Sequence, residues 1–311
     1  MSNSSTNPVK KYFGEGALLL MTLIWGGTFV IVKESLNDVS PLLFVGIRFG
    51  IAAFFVTIYF LIKKINVEYE SIKPGIFLGL LLFFGFFLQT NGLKITTATK
   101  SGFITGSLVV MVPFFQTIIE KRLPTKGAQF GTVLVFIGLL FLSSSGSSLS
   151  EFVSDLGTNF NFGDWLTLIC AMFFALHVVF IDIISPKYKF LDLLLLQLVT
   201  VSVLSFLISG FFQITNIERM QFDITFDSLR GILYTSLLAT LVNFSLQTKY
   251  QKVVSPTKAG IIYSFEPIFA ALFAFFLLSE KITNFGFIGS ALIFFGLIAA
   301  EVFDKLFNQK E

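Results

Sequence analysis

Apolar residues in this 311-residue chain neither alternate nor trace a narrow helical stripe. They come in long runs divided by short clusters of charged and turn-forming residues. A helix crossing the hydrocarbon core of a bilayer needs about 20 mostly apolar residues. Ten runs of that order can be read, at approximately 16–33, 41–62, 74–93, 101–119, 127–143, 164–184, 190–213, 231–248, 258–278 and 285–303. The connections leave no room for a soluble domain. The longest, around 144–163 and 214–230, carry Ser, Asn and Asp and read as surface loops.

A second pattern is laid over the first. Leu88-Gln89-Thr90 recurs as Leu246-Gln247-Thr248, Thr99-Lys100 with Gly102 recurs as Thr257-Lys258 with Gly260, and the run Gly131–Gly138 recurs as Gly289–Gly296. All three blocks share one offset of 158 residues. Five runs fall in each half, and a unit with an odd number of crossings places its repeat upside down in the membrane. Inverted repeats meeting at a midplane cavity are a common plan of secondary transporters. The expected fold is therefore an all-α integral membrane protein of ten transmembrane helices, arranged as two inverted five-helix repeats around a central cavity. The chain divides into an N-terminal tail (1–14), a first repeat (15–145), a linker (146–163), a second repeat (164–303) and a C-terminal tail (304–311).

Composition agrees with the pattern. With 54% hydrophobic and 13% charged residues and a mean hydropathy of +0.83, the chain lies outside the range of soluble domains. The first run holds Trp25-Gly26-Gly27 at its centre and enters Lys33-Glu34 without a small-residue cleavage site, so it reads as a crossing and not a signal peptide. Cys170 is the single cysteine, which leaves no intrachain disulfide or thiolate metal cluster to build. No cofactor and no nucleic-acid partner is expected.

The orientation follows from the basic residues. With the N-terminus inside, the cytoplasmic side carries 15 Lys and Arg against 6 outside, with Arg48 left within a run. Both termini are expected in the cytoplasm, and a bacterial inner membrane is the expected location.

Small residues spaced by four, such as Gly46/Gly50, Gly75/Gly79, Gly102/Gly106 and Gly127/Gly131, predict close helix crossings. Pro113 in the fourth run and Pro267 in the ninth predict interrupted helices in corresponding crossings, a pointer to a transporter's binding site.

Ionisable residues inside apolar runs cost about 2.5–3.5 kcal/mol each on insertion scales, so each needs a reason. Arg48 could bind a substrate carboxylate or phosphate, pair with a buried Glu, or bridge helices. Glu266, directly before Pro267, could carry a coupling proton, meet a cationic substrate group, or form a structural ion pair with Arg48. His177, the single histidine, could contact substrate, relay a proton or hold a neighbouring helix. Asp182, one turn beyond it, reads as a boundary residue. Gln89 and its repeat mate Gln247, with Asn91, Asn243 and Gln116, are candidates to line a polar cavity. Trp25, Phe29, Phe114, Tyr263 and Phe265 could supply aromatic walls.

These residues resemble the drug/metabolite transporter superfamily, in its ten-span members built from two EamA-type repeats. The likeness rests on Trp25-Gly26 followed by Thr28-Phe29, on Pro41 followed by Arg48-Phe49, and on Ser264-Phe265-Glu266-Pro267. Glu120-Lys121 and Glu280-Lys281, closing the fourth and ninth runs, complete it. It covers about 16–303. The chain departs from the family in writing Ile119-Glu120 and Ser279-Glu280 where Gly-Glu is usual, so these pairs read as helix-end and interface residues. The resemblance implies a ten-helix bundle with cytoplasmic termini, working by alternating access on amino acids, nucleobases, sugars, other metabolites or toxic compounds, often outward.

The function expected is secondary active transport, as an exporter of small polar or amphipathic metabolites, with proton coupling through Glu266. Its partners are a small-molecule substrate, membrane lipid and protons. A lipid-moving or structural membrane protein is the alternative. An intramembrane enzyme is disfavoured, since the sequence holds no metal-ligand cluster, no Ser/His/Asp arrangement and no paired acids in one run.

Overall fold

The structure, a computed structural model, describes residues 8–142, 148, 150–151, 153–154, 160–278 and 284–308. The Ser279-Glu280-Lys281 segment and half of the 146–163 linker lie outside the described residues. Among the described residues there is no strand beyond an isolated antiparallel bridge between Val39 and Phe222. The molecule is an all-α membrane protein. Seven helical stretches are long and apolar enough to cross a bilayer: Tyr12–Ser35, Pro41–Lys63, Tyr69–Ile95, Lys100–Glu120, Phe162–Ile184, Phe190–Ile214 and Phe226–Val253. Two shorter apolar helices, Lys126–Leu142 and Asn284–Ala300, and the helical stretch Pro256–Leu278 complete the bundle.

Several stretches are not single helices. The first consists of α1 (Pro8–Gly26) and α2 (Thr28–Ser35), joined at Gly27, so the run read at 16–33 is broken at its Gly-Gly pair. Two consecutive glycines are poor helix formers, and the carbonyls freed there find partners. The Tyr234 hydroxyl donates to the Ile24 carbonyl (2.5 Å) and the Thr28 hydroxyl to the Trp25 carbonyl (2.8 Å). Next come α3 (Pro41–Lys63) and α4 (Tyr69–Ile95), both continuous. The fourth stretch divides into α5 (Ala98–Gly106) and α6 (Leu108–Glu120) at Ser107.

This corrects one expectation: Pro113 lies inside α6, and the break is at Ser107, six residues earlier. A proline removes one N–H donor, but here the helix continues on both sides of it. The division occurs instead where the Ser107 hydroxyl takes the Ile104 carbonyl (2.6 Å).

After α7 (Lys126–Leu142) come α8 (Phe162–Ile184), α9 (Phe190–Ile214) and α10 (Phe226–Leu233). The last of these runs into a π-helical stretch, Tyr234–Val242, then α11 (Asn243–Tyr250) and a short 3-10 turn. The run read at 231–248 is thus longer and less regular than expected. Next are α12 (Pro256–Tyr263) and α13 (Glu266–Leu278), separated at Ser264-Phe265, and finally α14 (Asn284–Asn308). The Ser107 and Ser264-Phe265 breaks coincide under the 158-residue offset. Pro267 is therefore the second residue of α13, where its missing N–H costs little.

The glycine strips mark the closest crossings. A Cβ at Gly131 would lie 2.6 Å from the Gly296 carbonyl oxygen, and one at Gly138 would lie 2.8 Å from that of Gly289. Only glycine lets α7 and α14 approach so nearly. Gly46 and Gly50 admit Phe206 and Ser202 of α9, and Gly75 and Gly79 admit Leu196 and Thr200 of the same helix.

The two ends of the bundle are pinned differently. At the end where α2 and α4 finish, Lys33 Nζ donates to the carbonyls of Leu93 (2.6 Å), Lys94 (3.1 Å) and Thr96 (2.8 Å), and Glu34 pairs with Arg230. A cation at the last carbonyls of a helix complements its dipole. We call this the far end and the end where α1 enters the near end.

Candidate functional site

The helix breaks flank one cavity, lined by Trp25 and Thr28, by Thr105 and Leu108, and by Tyr263 and Glu266; counting its open mouth it holds about 760 Å³. Its lining contains four pairs related by the 158-residue offset: Phe86 with Phe244, Gln89 with Gln247, Thr105 with Tyr263, and Leu108 with Glu266. Both halves thus contribute the same positions to one wall. Toward the far end the lining reaches Val32 of α2 and Leu93 of α4; toward the near end it includes Tyr263, the last residue of α12.

Arg48 of α3 lines this cavity while only 4% exposed. Its Nε donates to the Thr240 hydroxyl (2.5 Å) and one terminal nitrogen to the Ala239 carbonyl (3.3 Å), both in the π stretch. The guanidinium also stands over the rings of Phe86 (4.8 Å) and Phe49 (5.5 Å). The Ala239 carbonyl accepts a second bond from the Trp25 indole (3.0 Å). One irregular turn therefore fixes both Arg48 and Trp25, in keeping with the frequent placement of π turns at functional sites.

Glu266 opens α13, so its carboxylate stands at the positive end of that helix. It lines the same cavity as Arg48. Among the described residues no carboxylate lies within ion-pair distance of Arg48. The cation and the acid thus face one cavity without neutralising each other directly.

On the near side a chain of amides closes the wall. Gln251 donates to the Val178 carbonyl (2.6 Å), which orients its own oxygen to accept from Gln247 Nε2 (3.0 Å) and the Tyr263 hydroxyl (2.8 Å). Gln247 Oε1 is left without a donor among the described residues although the side chain is 98% buried. Gln89, its repeat mate, is half-buried with a single long contact to Thr105 (3.4 Å). His177 lines the cavity and is bound through Nε2 to Gln197 Oε1 (2.8 Å); Gln197 Nε2 donates to the Leu193 carbonyl, so the imidazole is the donor.

Other candidates point elsewhere. Asn91 donates to the Phe87 carbonyl of its own helix and Asn243 to the Met21 carbonyl of α1, and neither lines the cavity. Gln116 accepts from Thr257 (2.6 Å), Phe114 is 60% exposed, and Phe265 packs in the core beside α7 and α14. Trp25, Phe29 and Tyr263 do form aromatic wall. Sequence reasoning missed Thr240, Ala239, Thr105 and Phe244. Applying the repeat offset to Tyr263 would have found Thr105, but Phe244 pairs with Phe86, which no signal singled out, and nothing in Tyr234–Val242 announces a π stretch.

Residues 12–144, and again 161–300, match the EamA-like transporter family. The chain belongs to the EamA-like transporter family. Over 290 residues this EamA-like transporter is 32% identical to an uncharacterized transporter of Archaeoglobus fulgidus, covering 93% of this chain and 86% of that one. It is 25% identical to a protein of Salmonella typhimurium named as a probable amino-acid metabolite efflux pump, over 90% of this chain and 91% of the relative. A protein of Escherichia coli with the same name is equally similar, at 25% identity. A solved crystal structure shares its fold with a TM-score of 0.75 at 15% identity, covering 95% of this chain and 99% of the other. The protein is a membrane transporter and not an enzyme.

Proposed function

We propose that this EamA-like transporter exports small zwitterionic metabolites, amino acids or close relatives, by alternating access between two inverted five-helix halves (15–145 and 164–303). The observation that carries the reading is a cavity on repeat-related positions that holds one cation, Arg48, and one acid, Glu266, not bonded to each other. A cargo carboxylate meets Arg48, which the π stretch already holds in place, so little ordering cost falls on binding. A cargo ammonium meets Glu266, and Gln247 Oε1 accepts a further N–H. Trp25, Phe86 and Phe244 enclose the apolar part of the cargo. The names of the efflux-pump relatives support the same class of cargo and direction.

In this reading the near end faces the cytoplasm of a bacterium, with both termini inside, as the excess of Lys and Arg in the near-end loops supports. Glu266 is the site of proton exchange: a proton taken up there weakens the hold on the cargo ammonium and is released when the next cargo binds. The isologous contact of α7 with α14, in which Gly131 meets Gly296 and Gly138 meets Gly289, supports two halves related by a two-fold axis.

The test is comparative metabolite profiling of medium and cytosol from cells expressing wild type, Glu266→Gln or an empty vector. One zwitterionic compound enriched outside with the wild type alone, then moved into liposomes in a proton-gradient-dependent way, is the expected result. Proton dependence unaltered in Glu266→Gln would remove Glu266 from coupling. Identical profiles for wild type and vector would remove export of common metabolites.

A further inference from the structure

α5 and α12 are the same element of the repeat, since Ala98–Gly106 maps onto 256–264 under the common offset. Their surroundings differ. All eight residues of α12 are buried, including Thr257 and Lys258, whereas Ala98, Lys100, Gly102 and Gly106 of α5 are half-exposed. An enclosed lysine is costly unless paired, and here Lys258 Nζ reaches Glu15 of α1 at 2.6 Å. Beside it the Thr257 hydroxyl donates to Gln116 of α6 (2.6 Å), and Gln116 in turn donates to Glu120 (3.3 Å). On its other faces α12 packs against Leu18 and Met21 of α1 and against Val178 and Val179 of α8. Both ends are non-helical joints: Ser255 has extended backbone, and Ser264 begins the break before α13. The last residue, Tyr263, lines the cavity.

We infer that α12 is a rigid plug closing the near end of the cavity, and that the Lys258–Glu15 and Thr257–Gln116 contacts are its lock. The inference rests on the alternating-access reading and adds which element moves and what holds it. Opening toward the near end requires the plug to leave α1 and α6, breaking both contacts together. Five residues of helix, about 8 Å, separate Lys258 from Tyr263, so displacement of the tyrosine by cargo is delivered to the lock by a rigid body. The half-exposed α5 is the corresponding plug of the far end, here withdrawn.

Access is measured without any cargo. In a Cys170→Ser background, Gln89→Cys places a reporter in the cavity, labelled with a membrane-impermeant maleimide in right-side-out and inside-out vesicles. With the lock intact the reporter reacts from the far-end side. Adding Lys258→Ala is expected to raise the rate from the near-end side at least about tenfold. The charge exchange Glu15→Lys with Lys258→Glu is expected to return it to the locked value. An unchanged near-end rate in a Lys258→Ala protein that stays monodisperse would overturn the inference. Should that variant fail to fold, Glu15→Gln, which keeps the side-chain shape, makes the same comparison with the same two outcomes. Metabolite profiling can fail while this labelling succeeds, so failure of the cargo reading and failure of the lock are separable.

Discussion

α4 and the crossing from Phe226 to Val253 occupy the same place in the two halves, yet one is a regular α-helix and the other is not. The stretch 76–84 of α4 is α-helical throughout; its counterpart 234–242 is π-helical. The sequences differ where it matters, since Leu82 of α4 stands opposite Thr240. Leu82 adds apolar wall to the cavity, whereas Thr240 and its neighbour Ala239 hold Arg48 and Trp25. A regular helix keeps its carbonyls for itself; the irregular one makes a carbonyl available to two side chains at once. One half thereby supplies wall and the other an anchor, so repeat-related positions carry different roles at one site.

The comparison can be broken most severely at Arg48. Arg48→Leu is expected to reduce export of a confirmed cargo at least about 100-fold, because the charge that the π stretch serves is gone. Flux into liposomes measures it, and near-normal transport would make the anchor ornamental. Replacing Thr240 by the residue its repeat mate carries, Thr240→Leu, removes a hydrogen bond to a buried cation. Such bonds contribute about 1.5–3 kcal/mol, roughly 10–100-fold. The loss should appear mainly as weaker cargo binding, read by titrating the purified protein with the cargo. The reciprocal Leu82→Thr should change affinity less than about twofold, since Thr240 already supplies the hydroxyl that Arg48 Nε uses. A large effect there would show that the two crossings share the anchoring role.

Much of the scaffold was legible from the chain. The run lengths located the crossings, the 158-residue offset located the wall, and Arg48 and Glu266 stood out as ionisable groups in apolar runs. The breaks were harder to see. Pro113 is a strong local signal, but losing one donor does not end this helix, which continues on both sides of it. Ser107 carries almost no propensity signal and becomes visible only when set beside Ser264 across the repeat. Asn91 and Asn243 were eligible cavity residues by type. Their amides instead satisfy carbonyls of α4 and α1, a choice made by side-chain direction and not by composition. The π stretch lacks Gly and Pro altogether; what accompanies it are the Thr235 and Ser236 hydroxyls on the carbonyls of Gly231 and Ile232 and the tertiary contacts with Arg48 and Trp25.

The crossing of α7 and α14 has a genetic consequence. Gly131 abuts Gly296 and Gly138 abuts Gly289, whereas the repeat equates Gly131 with Gly289 and Gly138 with Gly296. A side chain at Gly131 or Gly138 would meet the backbone carbonyl of the facing glycine, so no substitution at that partner can relieve it.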